Sequence, residues 1–214
     1  MDNSTVGFTL MELFQLGGVL MWPLLLFSIA AVGITLERGI YLFYHDLKLG
    51  DLKEKIEVFI REGNMEGAIA FLEGQNKRRM GKYILLTLLK RHGLSEYRLE
   101  KAVEAEAAKR ISSLESGFSF LTALGAISPL TGFLGTVMGM IGAFRSIAEA
   151  VDVNAQIVAS GIYEALITTV FGLAIAIVAM SAHSLFTHIV DKFTSDVESV
   201  CSDLIIALAE KNEA

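Results

Sequence analysis

A chain of 214 residues that is 53% hydrophobic, with a mean hydropathy of +0.52, is too apolar for an ordinary soluble domain of its length, and the composition points to a membrane protein. The formal net charge of -6 says little, because the charges are segregated along the chain. The 13 acidic residues interleaved with the basic ones between Glu37 and Glu115 form a solvated mixed surface and exclude a nucleic-acid-binding face. A single cysteine, Cys201, excludes an intramolecular disulfide.

In chain order, residues 1–16 come first. The piece "FTLMELFQL" is amphipathic and is expected to lie along the membrane surface, with extension of the first span as the alternative. The stretch from Gly17 to Leu36 is uncharged for 20 residues, the length a helix needs to cross a bilayer core. A signal peptide opens with basic residues, whereas this stretch is preceded only by Asp2 and Glu12, so a first transmembrane helix over 17–36 is expected instead of a cleaved leader.

Residues 37–115 hold 15 of the 18 Lys and Arg, which places them in the cytoplasm. They read as helical: "DLKEKIEVFIREGN" and "MEGAIAFLEGQNKRR" form a short antiparallel pair with a stop at Gly63 and Asn64. From Ser95 a helix of mixed charge meets no Pro and no Gly before Gly117, and one long helix running into the second span is expected.

The second span is uncharged from Ser116 to Phe144, and a third stretch, Val153 to Val190, carries Glu164 as its one Asp, Glu, Lys or Arg. Transmembrane helices over 116–144 and 157–186 follow, with an outer loop at 145–156. The amino terminus is then outside and the tail, 187–214, inside. In the tail Val190, Phe193, Val197, Val200 and Leu204 recur every three or four residues, marking an amphipathic helix packed on a neighbour. The fold class expected is all-α, with three membrane spans and with helices two and three continuing into the cytoplasm.

In the second span Gly132, Gly135, Gly139 and Gly142 fall within roughly 80° of one helix face. Gly161, Ala165, Thr168, Gly172, Ala176 and Ala179 cluster likewise in the third. Such flat faces let helices approach closely in lipid, so packing is the plain reading of these glycines. Thr136, Thr168 and Thr169 can each return a hydroxyl to their own helix. Thr136, Thr169 and Glu164 nevertheless share one depth, outward of the midplane, and could contribute to one polar layer.

Glu164 is the costly residue, because an acid inside a span costs about 2.5 to 3.5 kcal/mol at the helix centre. With no Lys or Arg in any span, it is expected to face water, a neighbouring subunit or a partner chain, or to stay protonated; the alternative is a carboxylate snorkelling to the outer interface. An enzyme is not expected, for want of a second intramembrane carboxylate or a Ser–His pair. His183 and His188 read as interface histidines and not as metal ligands.

"ISPLTGFLGTVMGMIGAF" and "SGIYEALITTVFGLAIAI" together resemble the paired motifs of the proton channel family that includes MotA, TolQ and ExbB. The likeness is strong over the last two spans, and the acid in "GIYEALITT" favours the ExbB and TolQ branch over the flagellar stators. The resemblance implies a homopentamer around the transmembrane helices of two copies of an ExbD- or TolR-like protein, in the inner membrane, with a TonB- or TolA-like transducer as further partner. Its only cofactor-like requirement is the proton as coupling ion. Carried over residue by residue, the pore threonines are Thr136 and Thr169, the acidic position is Glu164, and Pro129 matches a family proline. Thr168 stands where family members often have a small residue. A non-conducting scaffold and a MotA-like stator remain as alternatives.

Overall fold

The computed structural model describes residues 10–149 and 155–213. The first nine residues of the expected outer segment, positions 150–154 of the outer loop, and Ala214 lie outside the described residues. Eight helices account for nearly all of the described chain, and the one β-type pairing among them is an isolated bridge between Asp46 and Arg79. The chain divides into two compact units, to both of which the long helices α2 and α8, defined below, contribute.

The first unit comprises the chain up to Leu36 together with Gly117–Ser184. Helix α1, Leu10–Leu16, ends where Gly17 and Gly18 follow one another. Gly18 has φ +67, a left-handed conformation that a side chain resists. The Gly17 N–H closes α1 on the Leu13 carbonyl at 3.1 Å, and the Met21 N–H turns back onto the Gly18 carbonyl at 3.2 Å. Helix α2, Met21–Tyr44, then starts. The short amphipathic piece and the first span are thus two helices and not one.

Helix α7, Phe118–Glu149, contains Pro129 and is not ended by it. Proline has no N–H to donate to the carbonyl four residues back; one residue earlier the Ser128 hydroxyl donates to the Leu124 carbonyl at 2.6 Å. Helix α8, Ala155–Glu213, is continuous over 59 residues, so the third span and the tail are one element. Among the described residues three helices, α2, α7 and α8, are long and apolar enough to cross a membrane. Within the chain they bury little: 11%, 22% and 44% of their most apolar windows. Leu26, Ile29, Phe133, Val170 and Ile177 stand exposed. Surfaces of this kind require lipid or other helices around them.

The second unit comprises Glu37–Ser116 and Leu185–Ala214. Helices α3, Gly50–Glu62, and α4, Met65–Gly74, meet at the expected stop. Gly63 caps α3 with φ 79, and Asn64 caps α4 by accepting the Gly67 N–H at 2.8 Å. Helix α5, Met80–Lys90, buries Ile84, Leu85, Leu88 and Leu89 completely and forms the middle of this core. Val190, Phe193, Val197, Val200 and Leu204 of α8 are all buried, as their spacing predicts.

Two polar clasps hold the loops of this unit. Arg79 reaches Asp46 at 2.9 Å and Asp51 at 2.6 Å. Partial burial works against charge on Asp46, but the Lys48 N–H and the Arg79 guanidinium outweigh it and hold the carboxyl below its ordinary range. The buried Lys82 ammonium donates to the carbonyls of Glu73 and Gln75, at 2.9 and 2.7 Å, and so caps the end of α4.

One expectation is corrected. Helix α6, Glu96–Glu115, does not run on into the second span. Ser116 is extended at ψ 130 and Gly117 is left-handed at φ 87, so the helix stops and α7 begins afresh at Phe118. The glycine that marks the end of the charged stretch is a true C-terminal stop, of the kind helices commonly adopt.

Candidate functional site

The site lies in the first unit, along the antiparallel seam of α7 and α8. Its closeness comes from glycines that meet backbone. A Cβ on Gly132 would stand 2.8 Å from the Thr168 carbonyl oxygen, and one on Gly172 would stand 2.5 Å from the Ser128 carbonyl oxygen. Gly139 faces the Gly161 carbonyl oxygen at 2.9 Å, and Gly161 faces the Ala143 methyl at 2.7 Å. Gly135 is filled by the Thr168 side chain, and Gly125 by Met180. Gly142 differs from the other three glycines of its strip, since among the described residues outside its own turn no atom lies within 4 Å of where its Cβ would be.

This close approach brings two hydroxyls onto one acceptor. Thr168 is buried, and its one hydroxyl proton is shared between the Ala165 carbonyl of its own helix at 2.8 Å and the Gly132 carbonyl at 3.2 Å. Thr169, half-buried, donates to the same Gly132 carbonyl at 3.1 Å. Thr136, one turn along α7 from Gly132, returns its hydroxyl to the Phe133 carbonyl at 2.7 Å. The structure therefore brings Thr169 and Thr168 together on Gly132, while Thr136 satisfies itself locally.

Glu164 is half-buried and turned elsewhere. Its carboxylate occupies the space beside Gly18, where a Cβ would collide with it. Among the described residues no hydrogen bond or ion pair joins it to Thr136 or Thr169. A groove of about 740 Å³ runs past the acid, lined by Gln15, Leu134, Gly135, Met138, Gly142, Ser146, Ser160, Tyr163 and Thr168 among others. Its lining is mainly apolar, and among the described residues Glu164 is its one carboxylate.

At the other end of the seam His183 lies edge-on to Phe118, with ring centroids 5.9 Å apart, and its Nε2 is 3.5 Å from the Thr122 hydroxyl. His188 is exposed. Reading by spacing missed the Gly17–Gly18 turn as part of the site. Its signal was a Gly-Gly pair between an amphipathic piece and an apolar span, which marks a turn but does not say what packs on it.

Fold and seam define a polytopic helical membrane protein whose last two spans pack through glycines and carry threonines and one acid. Residues 70–199, well over half of the chain, match the MotA/TolQ/ExbB proton channel family, and the chain belongs to that family. It is 36% identical over 180 residues to an ExbB-like biopolymer transport protein of a Synechocystis species, covering 80% of this chain and 68% of that one. To the biopolymer transport protein ExbB of Pseudomonas putida it is 27% identical over 165 residues, 76% of this chain and 47% of the other. A shorter match, 39% over 84 residues, joins it to the Tol-Pal system protein TolQ of Haemophilus influenzae, covering 39% of this chain and 37% of that one.

Proposed function

We propose that this chain is the channel-forming subunit of an inner-membrane motor of the ExbB/TolQ kind. Five copies surround the transmembrane helices of an ExbD- or TolR-like dimer, and proton flow through the assembly energises a TonB- or TolA-like transducer acting on the outer membrane. The amino terminus is periplasmic and the tail cytoplasmic, as the bias of Lys and Arg towards residues 37–115 favours. The observation that carries the reading is Glu164: an acid half-buried on a mainly apolar groove that also holds Ser146, Ser160, Tyr163 and Thr168, in a pair of family-matched spans whose outer faces are left bare.

Thr169 and Thr136 position water or the partner's acid, and Glu164 sets the local field. Moving one charge through 100 mV releases about 2.3 kcal/mol, so a useful stroke needs several protons or a small load. The assembly supplies no covalent chemistry, and its work is done by moving charge.

Co-reconstitution with the ExbD-like partner and a proton-flux assay tests the reading. Flux falling in Thr169→Ala and in Glu164→Gln, with assembly retained, is the expected result. Unchanged flux in both, together with loss of function on bulky replacement of Gly135 or Gly139, would make the chain a non-conducting scaffold.

A further inference from the structure

We propose that Gly18 is the seat of the Glu164 carboxylate: a positioning residue, far away in sequence, that fixes where the acid of the third span sits beside its groove. This rests on the reading of Glu164 as part of the ion path.

The three atoms nearest to a Cβ built on Gly18 all belong to Glu164: a carboxylate oxygen, Cδ at 2.8 Å and Cγ at 3.5 Å. A side chain at position 18 would therefore have to displace the carboxylate, the flexible end of Glu164, from the place it occupies. The space beside the neighbouring Gly17 is filled first by the Met21 side chain of the same turn, with the Ile167 methyl of α8 next, 3.2 Å from where a Cβ would stand. The turn thus meets one strip of α8, and the acid lies in the hollow that Gly18 leaves. The hollow belongs to the turn that opens α2, where the Gly18 and Val19 carbonyls accept the Met21 and Trp22 N–H groups at 3.2 and 3.3 Å. The start of a helix carries the positive end of its dipole, which suits a carboxylate in a chain whose spans hold no Lys or Arg. A short amphipathic helix ahead of the first span and an acid in the third are in this way mechanically joined.

Glycine at 18 meets two demands, the left-handed φ and the room for Glu164, and the test separates them. The full chain in its complex is melted as a double-mutant cycle of Gly18→Ala in the native and the Glu164→Ala backgrounds. Backbone strain acts in both backgrounds and the collision in one. Gly18→Ala is expected to lower Tm by several degrees in both backgrounds, through strain in the left-handed region, and by about 2 °C more in the native background than beside Glu164→Ala. Equal losses overturn the seat. Should Gly18→Ala fail to accumulate in membranes, recovery of accumulation in Gly18→Ala/Glu164→Ala supports the seat, and an equal deficit overturns it.

Proton flux supplies a readout that packing alone would not move. Gly18→Ala is expected to cut flux about tenfold, and adding Glu164→Asp, which withdraws the carboxylate by one methylene, to recover at least about threefold of the loss. No recovery overturns the positioning role. If Glu164→Gln alone leaves flux intact, the ion-path reading fails, while the melting cycle still decides whether the acid is seated on Gly18.

Discussion

Thr168 and Thr169 share the Gly132 carbonyl, and they differ in what else they have. Thr168 is buried and shares its one proton between two carbonyls, so its removal leaves a buried site, whereas Thr169 has one acceptor and stays half-buried. Hydrogen bonds between membrane helices contribute about 0.6 kcal/mol on average, up to about 1.7. Thr168→Val should therefore lower the thermal stability of the subunit in detergent by about 1 kcal/mol, and Thr168→Ser should restore most of it. A loss larger in Thr169→Val than in Thr168→Val would reverse this ranking. Gly135 lies against Thr168, whereas among the described residues beyond its own turn none crowds Gly142. Gly135→Ala is accordingly expected to destabilise by about 1–3 kcal/mol through overpacking, with Gly142→Ala neutral in the isolated subunit. Melting curves of the two variants check the contrast.

Helix ends carry the next set of consequences. Gly117 separates α6 from α7 with φ 87, and any L-residue there costs about 1–2 kcal/mol in the left-handed region. Gly117→Ala should lower Tm by several degrees, and a rise in Tm would mean that the break is dispensable. Lys82→Met would leave the Glu73 and Gln75 carbonyls without their buried donor, a loss of about 1–3 kcal/mol, seen as a fall in Tm. Much of this level was legible in the sequence. The Gly63–Asn64 stop and the buried stripe from Val190 to Leu204 are local signals, read from turn chemistry and from a period of 3.6. Helix α5 was not singled out, although Ile84, Leu85, Leu88 and Leu89 recur at helical spacing opposite Tyr83, Thr87 and Lys90 and could have marked it. The expected unbroken helix from Ser95 into the second span failed at a glycine that could as well have been a packing residue, since only its φ distinguishes the two. At the candidate site the glycine strips and Glu164 stood out in the sequence. The acid's partner did not, because Gly18 is 146 positions away and offers no side chain to pattern.

At the scale of the whole molecule the chain is incomplete as a membrane object, with most of each span's surface uncovered, and more self-sufficient in its second unit. There Cys201 is buried, and burial pushes its thiol from an ordinary 9.0 up to about 12. A pKa raised on folding means that the folded state holds the proton more tightly. The associated stability is present below pH 9 and is lost as pH climbs through about 12. Melting the protein across this window should show a decline with pH that is steeper than in Cys201→Ala, and parallel curves would place the thiol in contact with water.

In the proposed motor these spans, assembled with their partner, conduct protons past Thr169 and Glu164. Dye-reported proton flux into vesicles holding the purified complex, its copy numbers first established by native mass measurement, is the decisive experiment. Voltage-driven flux is expected in the native complex and should fall at least about tenfold in Glu164→Gln and Thr169→Val complexes of unchanged mass. Flux equal to that of empty vesicles, or flux indifferent to both substitutions, would rule proton conduction past these residues out.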